Sequence, residues 1–366
     1  MKNPVWSAVL MASTLCWFSF GRTPAADSTR LLRQPDVSRD RIVFAHGGDL
    51  WTVGRSGGAA RRLTSFPGVE SEPRFSPDGR RVAFTGRYDG NTDVYVVPVE
   101  GGEPRRLTYH PGPDFCRGWT PDGAAVVFAS GRTGAPIPYP RFWIIPIGGG
   151  FPRPMAMPRA WYGEFSPDGA QFAYQEVQHW ETEFRNYRGG QNKPIWILRL
   201  SHLSLSKVPW DGANDSQPVW IGDTIYFLSD RDFAVNVWAY DTKNSRVRQL
   251  THFRTYDARD LQAGAGALVF EQAGVLHLLE PATGRQETVP ITVRGDFSWA
   301  RPHWEDVSKL MSHPFLSPTG KRALFEARGD IFTVPAEKGD VRDLTSTSGA
   351  AERAPAWSPD GNRISW

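Results

Sequence analysis

Apolar and polar residues alternate along this chain in short runs, such as Arg81-Val82-Ala83-Phe84 and Ala125-Val126-Val127-Phe128. A period of two sends successive side chains to opposite faces of an extended strand. A second run follows at a short interval: Asp93-Val94-Tyr95-Val96-Val97, Arg141-Phe142-Trp143-Ile144-Ile145 and Asp330-Ile331-Phe332-Thr333-Val334. A Gly-rich turn comes next, then a short stretch ending in Leu-Thr at 63–64, 107–108, 250–251 and 344–345. No long segment carries the 3.6-residue helical period, so the pattern predicts an all-β chain of four-stranded antiparallel meanders.

The turns give the repeat its frame. Ser-Pro-Asp-Gly or a close relative recurs at Ser76–Gly79, Thr120–Gly123, Ser166–Gly169, Ser317–Gly320 and Ser358–Gly361, usually after an aromatic residue. Proline holds φ near −65°, Asp bonds back to the backbone and Gly accepts positive φ. The turn prolines 77, 121 and 167 are spaced by 44 and 46 residues, whereas 167 and 318 are 151 apart. That gap holds two degenerate units, one around Pro218-Val219-Trp220-Ile221-Gly222-Asp223 and one around Asp260-Leu261-Gln262-Ala263-Gly264. Asp36-Val37-Ser38-Arg39-Asp40 stands where the first turn belongs.

Units are therefore expected at about 31–64, 71–108, 115–157, 161–208, 216–251 and 256–289. Six such units predict a six-bladed β-propeller over 27–289, because radial closure protects sheet edges that a linear stack exposes. A less regular linker, 290–312, precedes a seventh unit and the start of an eighth, so 313–366 is expected to be the first blades of a second, truncated propeller. Trp366 would stand in the second strand of a blade, and the chain is expected to be a fragment of a longer protein.

Composition agrees with this reading. The 36 Gly and 30 Pro fall short of the ~25–30% of low-complexity chains, and 13% aromatic residues suit many short packed strands. A net charge of +3 provides no basic field for nucleic acid. Residues 1–26 read as an export signal: Lys2 is the positive start, Val5 to Phe20 is mostly apolar, and Ala25-Ala26 offers cleavage. A periplasmic or extracellular location follows, with no membrane contact beyond the signal, and a retained N-terminal anchor is the alternative to cleavage. Cleavage there leaves Cys116 as the lone thiol, so stability rests on packing rather than disulfides.

Motifs with chemical meaning are few. Gly54-Arg55-Ser56-Gly57-Gly58 fits the G-x-S-x-G pattern, but strands flank it where a nucleophile elbow needs a helix, so a hairpin turn is expected. Asp89, Asn91, Asp93 and Glu100 have EF-hand spacing, yet Val94 replaces the required Gly, and a hairpin is again expected. The eight histidines form no close ligand pair, so neither a metal site nor a cofactor is expected, and no catalytic residue is assigned. Arg61-Arg62 and Arg105-Arg106 read as solvated charges on last strands. The informative irregularity is 178–193, which lengthens its unit; His179, Trp180, Tyr187, Arg188, Gly189 and Gly190 are the candidate binding residues, weighed against a packed insertion sealing the rim.

These residues also carry a resemblance. Asp40-Arg41-Ile42-Val43-Phe44 with Gly48-Asp49-Leu50-Trp51 resembles the opening of the tricorn-type serine proteases. So do His179-Trp180 with Tyr187-Arg188-Gly189-Gly190 and Ile195-Trp196-Ile197, and Pro218-Val219 with Gly222, Ile225-Tyr226-Phe227 and Asp230. The turn repeat alone is shared with the Tol-system and prolyl oligopeptidase propellers. The resemblance implies the N-terminal propeller portion of an exported serine peptidase, serving peptide access, filtering and assembly. Peptides or unfolded polypeptide would be substrates, a homo-oligomer the assembled state, and the catalytic domain would lie outside this chain. The alternatives are a non-enzymatic periplasmic binding propeller similar to the Tol-system protein, and a propeller hydrolase with a central metal or an appended α/β-hydrolase domain.

Overall fold

The computed structural model describes residues 28–134, 136–177, 186–190, 192–297, 304–347 and 349–366; the signal call on 1–26 and the candidates His179 and Trp180 lie outside them. Among the described residues there is no helix, and the chain divides into two compact units after Asp296.

The first unit contains six four-stranded antiparallel sheets, each made of strands consecutive in sequence. Their innermost strands are Arg33–Val37, Val69–Phe75, Asp114–Trp119, Tyr162–Phe165, Asp215–Ile221 and Ala258–Gly264. Each packs against the next, and the last packs back against the first, so the six sheets close a ring. This is a β-propeller. The degenerate units fall in place, with Gly222-Asp223 and Ala265-Gly266 turning between first and second strands.

Burial explains the pattern. The second strand of every sheet carries a fully buried phenylalanine: Phe44, Phe84, Phe128, Phe172, Phe227 and Phe270. In five sheets it faces an aromatic or imidazole ring on the third strand, as Phe84 faces Tyr95 and Phe128 faces Trp143. Cores form between sheets rather than within them. Val43 and Leu50 of the first sheet pack with Val82 and Phe84 of the second, and Ala83 and Val96 of the second pack with Trp119 and Phe128 of the third.

The turns hold one another. Ser76 Oγ donates to Asp78 and accepts from the Arg81 amide at 3.0 Å, closing the loop that Gly79 turns at φ +69°. A β-carbon on Gly123 would stand 3.5 Å from Pro77 of the preceding sheet, and one on Gly169 would stand 3.6 Å from Pro121. Each turn therefore rests on the proline before it.

Two local readings change. Arg61, Arg62 and Arg105 are exposed, as expected of solvated charges, but Arg62 and the half-buried Arg106 also pair at 2.6 Å with Asp49 and Asp93, which are almost wholly out of water. Alternation predicts only which face a side chain takes, and these guanidinium groups lie back along that face to the carboxylates at the start of the adjacent strand. Arg61 reaches across to the Val99 and Glu100 carbonyls, and only Arg105 of the four matches the solvated reading without such a bond. After Val289 the chain does not leave at once. Ile291–Thr292 pairs in parallel with Gly58–Ala59, and the Thr29 amide donates to the Ile291 carbonyl at 2.8 Å. This clasp ties the end of the ring to its beginning, and the first unit runs on past residue 289.

In the second unit, Ser312–Leu316, Arg322–Ala327, Asp330–Pro335 and Arg342–Asp343 form another four-stranded antiparallel sheet. Ala356–Trp357 pairs with Ile364–Ser365 beyond it.

Candidate functional site

The innermost strands of the first unit are short, and polar residues interrupt them. Five of the six carry a bulge against their neighbour. A bulge re-aims a side chain at the cost of ladder bonds. At four of them a non-glycine residue takes left-handed backbone: Gln34 (φ 49°), Glu72 (52°), Gln217 (50°) and Asp260 (53°). Such conformations persist where surrounding contacts over-determine them.

Those contacts are a relay between sheets. The Gln34 amide donates to Asp260 Oδ2 at 3.1 Å, and the Glu72 amide donates to Gln34 Oε1 at 3.0 Å. The Leu261 amide donates to Gln217 Oε1 at 3.0 Å, and the Gln217 amide to Gln175 Oε1 at 3.3 Å. Asp36 accepts from the Phe75 amide at 2.6 Å, and Glu164 from the Trp220 amide at 2.7 Å. Amides freed by the bulges are thus satisfied by side chains of the preceding sheet.

The relay borders two cavities. A cavity of about 950 Å³ lies at the C-terminal ends of the innermost strands, and every sheet contributes to it: Asp36, Arg74, Arg117, Glu164, Gln217 and Gln262. A second, of about 610 Å³, lies at the other ends of the first four and is walled by Gln34, Glu72, Phe115, Trp161 and Tyr162. Tyr162 lines both. Between them Arg117 pairs with Glu72 at 2.5 Å, and its guanidinium stacks 4.3 Å from the Trp161 ring and 4.7 Å from the Tyr162 ring.

The electrostatics are crowded. Burial raises the Asp36 carboxyl to about 6, against the opposing pull of Arg74 and the Phe75 and Val37 amides. Burial raises Glu164 further, to about 8, and Asp36 adds to the effect. Asp260 also shifts upward by burial, with the Gln34 amide and Arg74 opposing. Perturbed carboxyls in a cavity mark a candidate site on physical grounds.

The insertion residues are placed elsewhere. Arg188 pairs with Asp230 of the next sheet at 2.8 Å. The Tyr187 carbonyl accepts from Asn192 at 2.6 Å and from Asn214 at 3.1 Å, while the Asn214 amide donates to Asp230 Oδ1 at 2.8 Å. Gly189 and Gly190 follow in the same short loop, where the Asn192 amide donates to the Gly189 carbonyl at 3.0 Å. Tyr187 and Arg188 therefore join two sheets rather than line either cavity. The G-x-S-x-G segment is a hairpin turn, with the Gly57 amide donating to the Gly54 carbonyl at 2.8 Å. Asn91 and Asp93 of the EF-hand-like spacing bond to each other at 2.9 Å. No group of three potential metal ligands occurs among the described residues.

Sequence reasoning missed the cavity residues. Their one signal was a charge beside an aromatic residue just before a turn, as in Arg74-Phe75-Ser76-Pro77 and Glu164-Phe165-Ser166-Pro167.

A closed ring of six four-stranded antiparallel sheets, with a cavity at each end of its innermost strands, defines the first unit as a β-propeller. The chain belongs to the family of tricorn protease N-terminal beta propeller domains, whose model matches residues 29–285. It is 26% identical over 341 residues to a tricorn protease homolog of Saccharolobus solfataricus, covering 90% of this chain and 31% of that protein. It is 28% identical over 314 residues to the tricorn protease of Thermoplasma acidophilum, covering 82% of this chain and 28% of that one. The chain thus spans about three tenths of the length of these relatives. A crystal structure of the tricorn protease superposes with TM-score 0.67 at 26% identity, over 87% of this chain and 31% of the other. A putative TolB from Agrobacterium tumefaciens shares the fold, with TM-score 0.51 at 20% identity over 67% of this chain and 84% of that one.

Proposed function

We propose that this chain is the peptide-admitting propeller of an exported tricorn-like serine peptidase whose catalytic residues lie outside it. The observation that carries this reading is the cavity at the centre of the ring, to which all six sheets contribute polar groups: Asp36, Arg74, Arg117, Glu164, Gln217 and Gln262. Polar walls suit an extended main chain, which brings its own amides and carbonyls and needs partners for them once out of water. In this reading the cavity admits extended chains and not folded proteins. Assembly into a homo-oligomer and action in the periplasm or outside the cell belong to the same proposal, resting on the family and on the leader-like residues 1–26.

A photo-crosslinking side chain at Gln262, on the cavity wall, tests passage. Synthetic extended peptides should crosslink there and a folded protein of similar composition should not. Equal capture of both, or of neither, overturns the reading. A reporter active only after export, fused behind residue 30, should be active; an inactive reporter overturns export. The 366-residue chain alone should cleave no peptide above a buffer control.

A further inference from the structure

The larger cavity holds acceptors and a donor that remain open. Glu164 uses Oε2 for the Trp220 amide, and among the described residues Oε1 has no donor. Neither Asp36 nor Glu164 has a cation at ion-pair distance among those residues. Arg74 lines the same cavity and is 6% exposed. Its guanidinium donates through Nη1 to the Pro73 carbonyl at 2.7 Å, and among the described residues Nη2 has no acceptor. A buried guanidinium donor left unused is costly unless a ligand supplies the acceptor.

Resting on the peptide-admission reading, we propose that this cavity is a subsite for the free amino terminus of an extended peptide. The ammonium group sits on Glu164, with Asp36 behind it, and the adjoining main-chain carbonyl accepts from Arg74. An ammonium two bonds from a carbonyl carbon presents donors and an acceptor side by side, which is the complement of a carboxylate and an arginine lining one cavity. Arg74 disfavours a lone inorganic cation, and the carboxylates disfavour a free anion. A peptide amino terminus satisfies both demands with charge-assisted hydrogen bonds.

The charged groups that share the cavity with Glu164 are Asp36 of the first sheet, Arg74 of the second and the paired Arg117 of the third, with Tyr162 on its own strand. Glu164 holds its proton at neutral pH, so uptake of an ammonium releases that proton. The enthalpy of binding will therefore depend on the ionisation heat of the buffer.

The test uses the intact 366-residue chain with three probes: tri-alanine amide with a free amine, its N-acetyl form, and N-acetyl-Ala-Lys-Ala amide. Trp119 and Trp220 line the cavity and report binding by fluorescence. The free-amine peptide should bind, and acetylation should weaken it by about tenfold or more, the scale of one charge-assisted contact. Glu164→Gln keeps an acceptor for the Trp220 amide and should erase the difference between the free and acetylated peptides, with thermal melting to confirm folding. Should that variant not fold, the comparison on the unaltered chain still decides. Equal binding of free and acetylated peptides overturns the proposal, as does equal binding of the lysine probe, which would assign a side-chain site. In both cases a peptide still binds and admission stands. If no probe binds, both readings fall.

Discussion

Arg117 and Glu72 meet at 2.5 Å with side chains 1% and 10% exposed, between the two cavities of the ring. The pair is tied into its surroundings on several sides. Arg117 Nε donates to the Trp161 carbonyl at 2.6 Å, and Thr85 Oγ1 donates to the Glu72 carboxylate at 3.0 Å while accepting from the Cys116 amide at 2.9 Å. Three sheets thus meet at one ion pair.

Removing one partner should cost more than removing both. Glu72→Ala leaves a buried guanidinium uncompensated, a loss of about 3–5 kcal/mol, whereas replacing both partners with apolar residues of similar volume is often nearly neutral. Urea unfolding of Glu72→Leu, Arg117→Met and the double variant measures this. A double variant less stable than Glu72→Leu would remove the pair from the structural account.

The Leu-Thr repeat makes a second claim. Thr108 Oγ1 accepts from the Val94 amide at 3.0 Å and donates to Asp93 at 3.0 Å, with Arg106 on the other carboxylate oxygen. Thr64 and Thr251 bond the equivalent amides, Leu50 and Val237, at 2.9 Å each. Thr108→Val should cost about 1–3 kcal/mol by stranding a buried amide. Arg105→Ala, one residue from the ion pair but exposed, should stay within about 0.5 kcal/mol. Similar midpoints for the two variants in chemical denaturation would refute the distinction.

This contrast shows what was legible in the sequence. Period-two runs, turn chemistry and spacing identify strands and sheets because they are local, and the Phe84–Tyr95 and Phe128–Trp143 pairs follow directly from alternation. Which side chains turn back on the backbone is not local. Arg106 and Arg105 are adjacent and chemically identical, and only the position of Asp93 on the neighbouring strand separates them. The cavity residues were hidden for the same reason. Asp36 and Glu164 are 128 positions apart in the chain, and ring closure alone brings them to one cavity. The Tyr187-Arg188-Gly189-Gly190 segment stood out as irregular, but its contact with Asp230 depends on the next sheet.

Asp230 should therefore matter more than Arg188. Arg188 is 42% exposed, so Arg188→Ala should cost no more than about 1 kcal/mol. Asp230 is 2% exposed in its side chain and also accepts from the Asn214 amide at 2.8 Å and its Nδ2 at 2.7 Å. Asp230→Ala should cost about 2–4 kcal/mol through these orphaned donors. It should also speed protease cleavage between residues 178 and 193, scored by mass spectrometry of the fragments. Unchanged cleavage would show that the insertion does not depend on this anchor.

Finally, the buried carboxyls make stability fall as pH rises. Unfolded, Asp36 titrates near 3.8 and Glu70 and Glu164 near 4.5; folded, burial moves them to about 6, about 7 and about 8. Tyr88 donates to Glu70 at 2.5 Å and opposes its shift without cancelling it. Between the unfolded and folded values the folded chain binds more protons than the unfolded one, so the slope of stability against pH is negative. The contribution is complete below about pH 4 and is lost progressively up to about pH 8, with Glu164 alone acting at the top of the window. Glu164→Gln cannot ionise yet can still accept from the Trp220 amide. Its urea midpoint should fall less steeply than the unaltered chain's from about pH 5 to 8, where Glu164 keeps its proton in the folded chain but has lost it in the unfolded one, while the two curves run parallel above about pH 9, where it is ionised in both states. Parallel curves from about pH 5 to 8 would mean that Glu164 is already ionised in the folded ring.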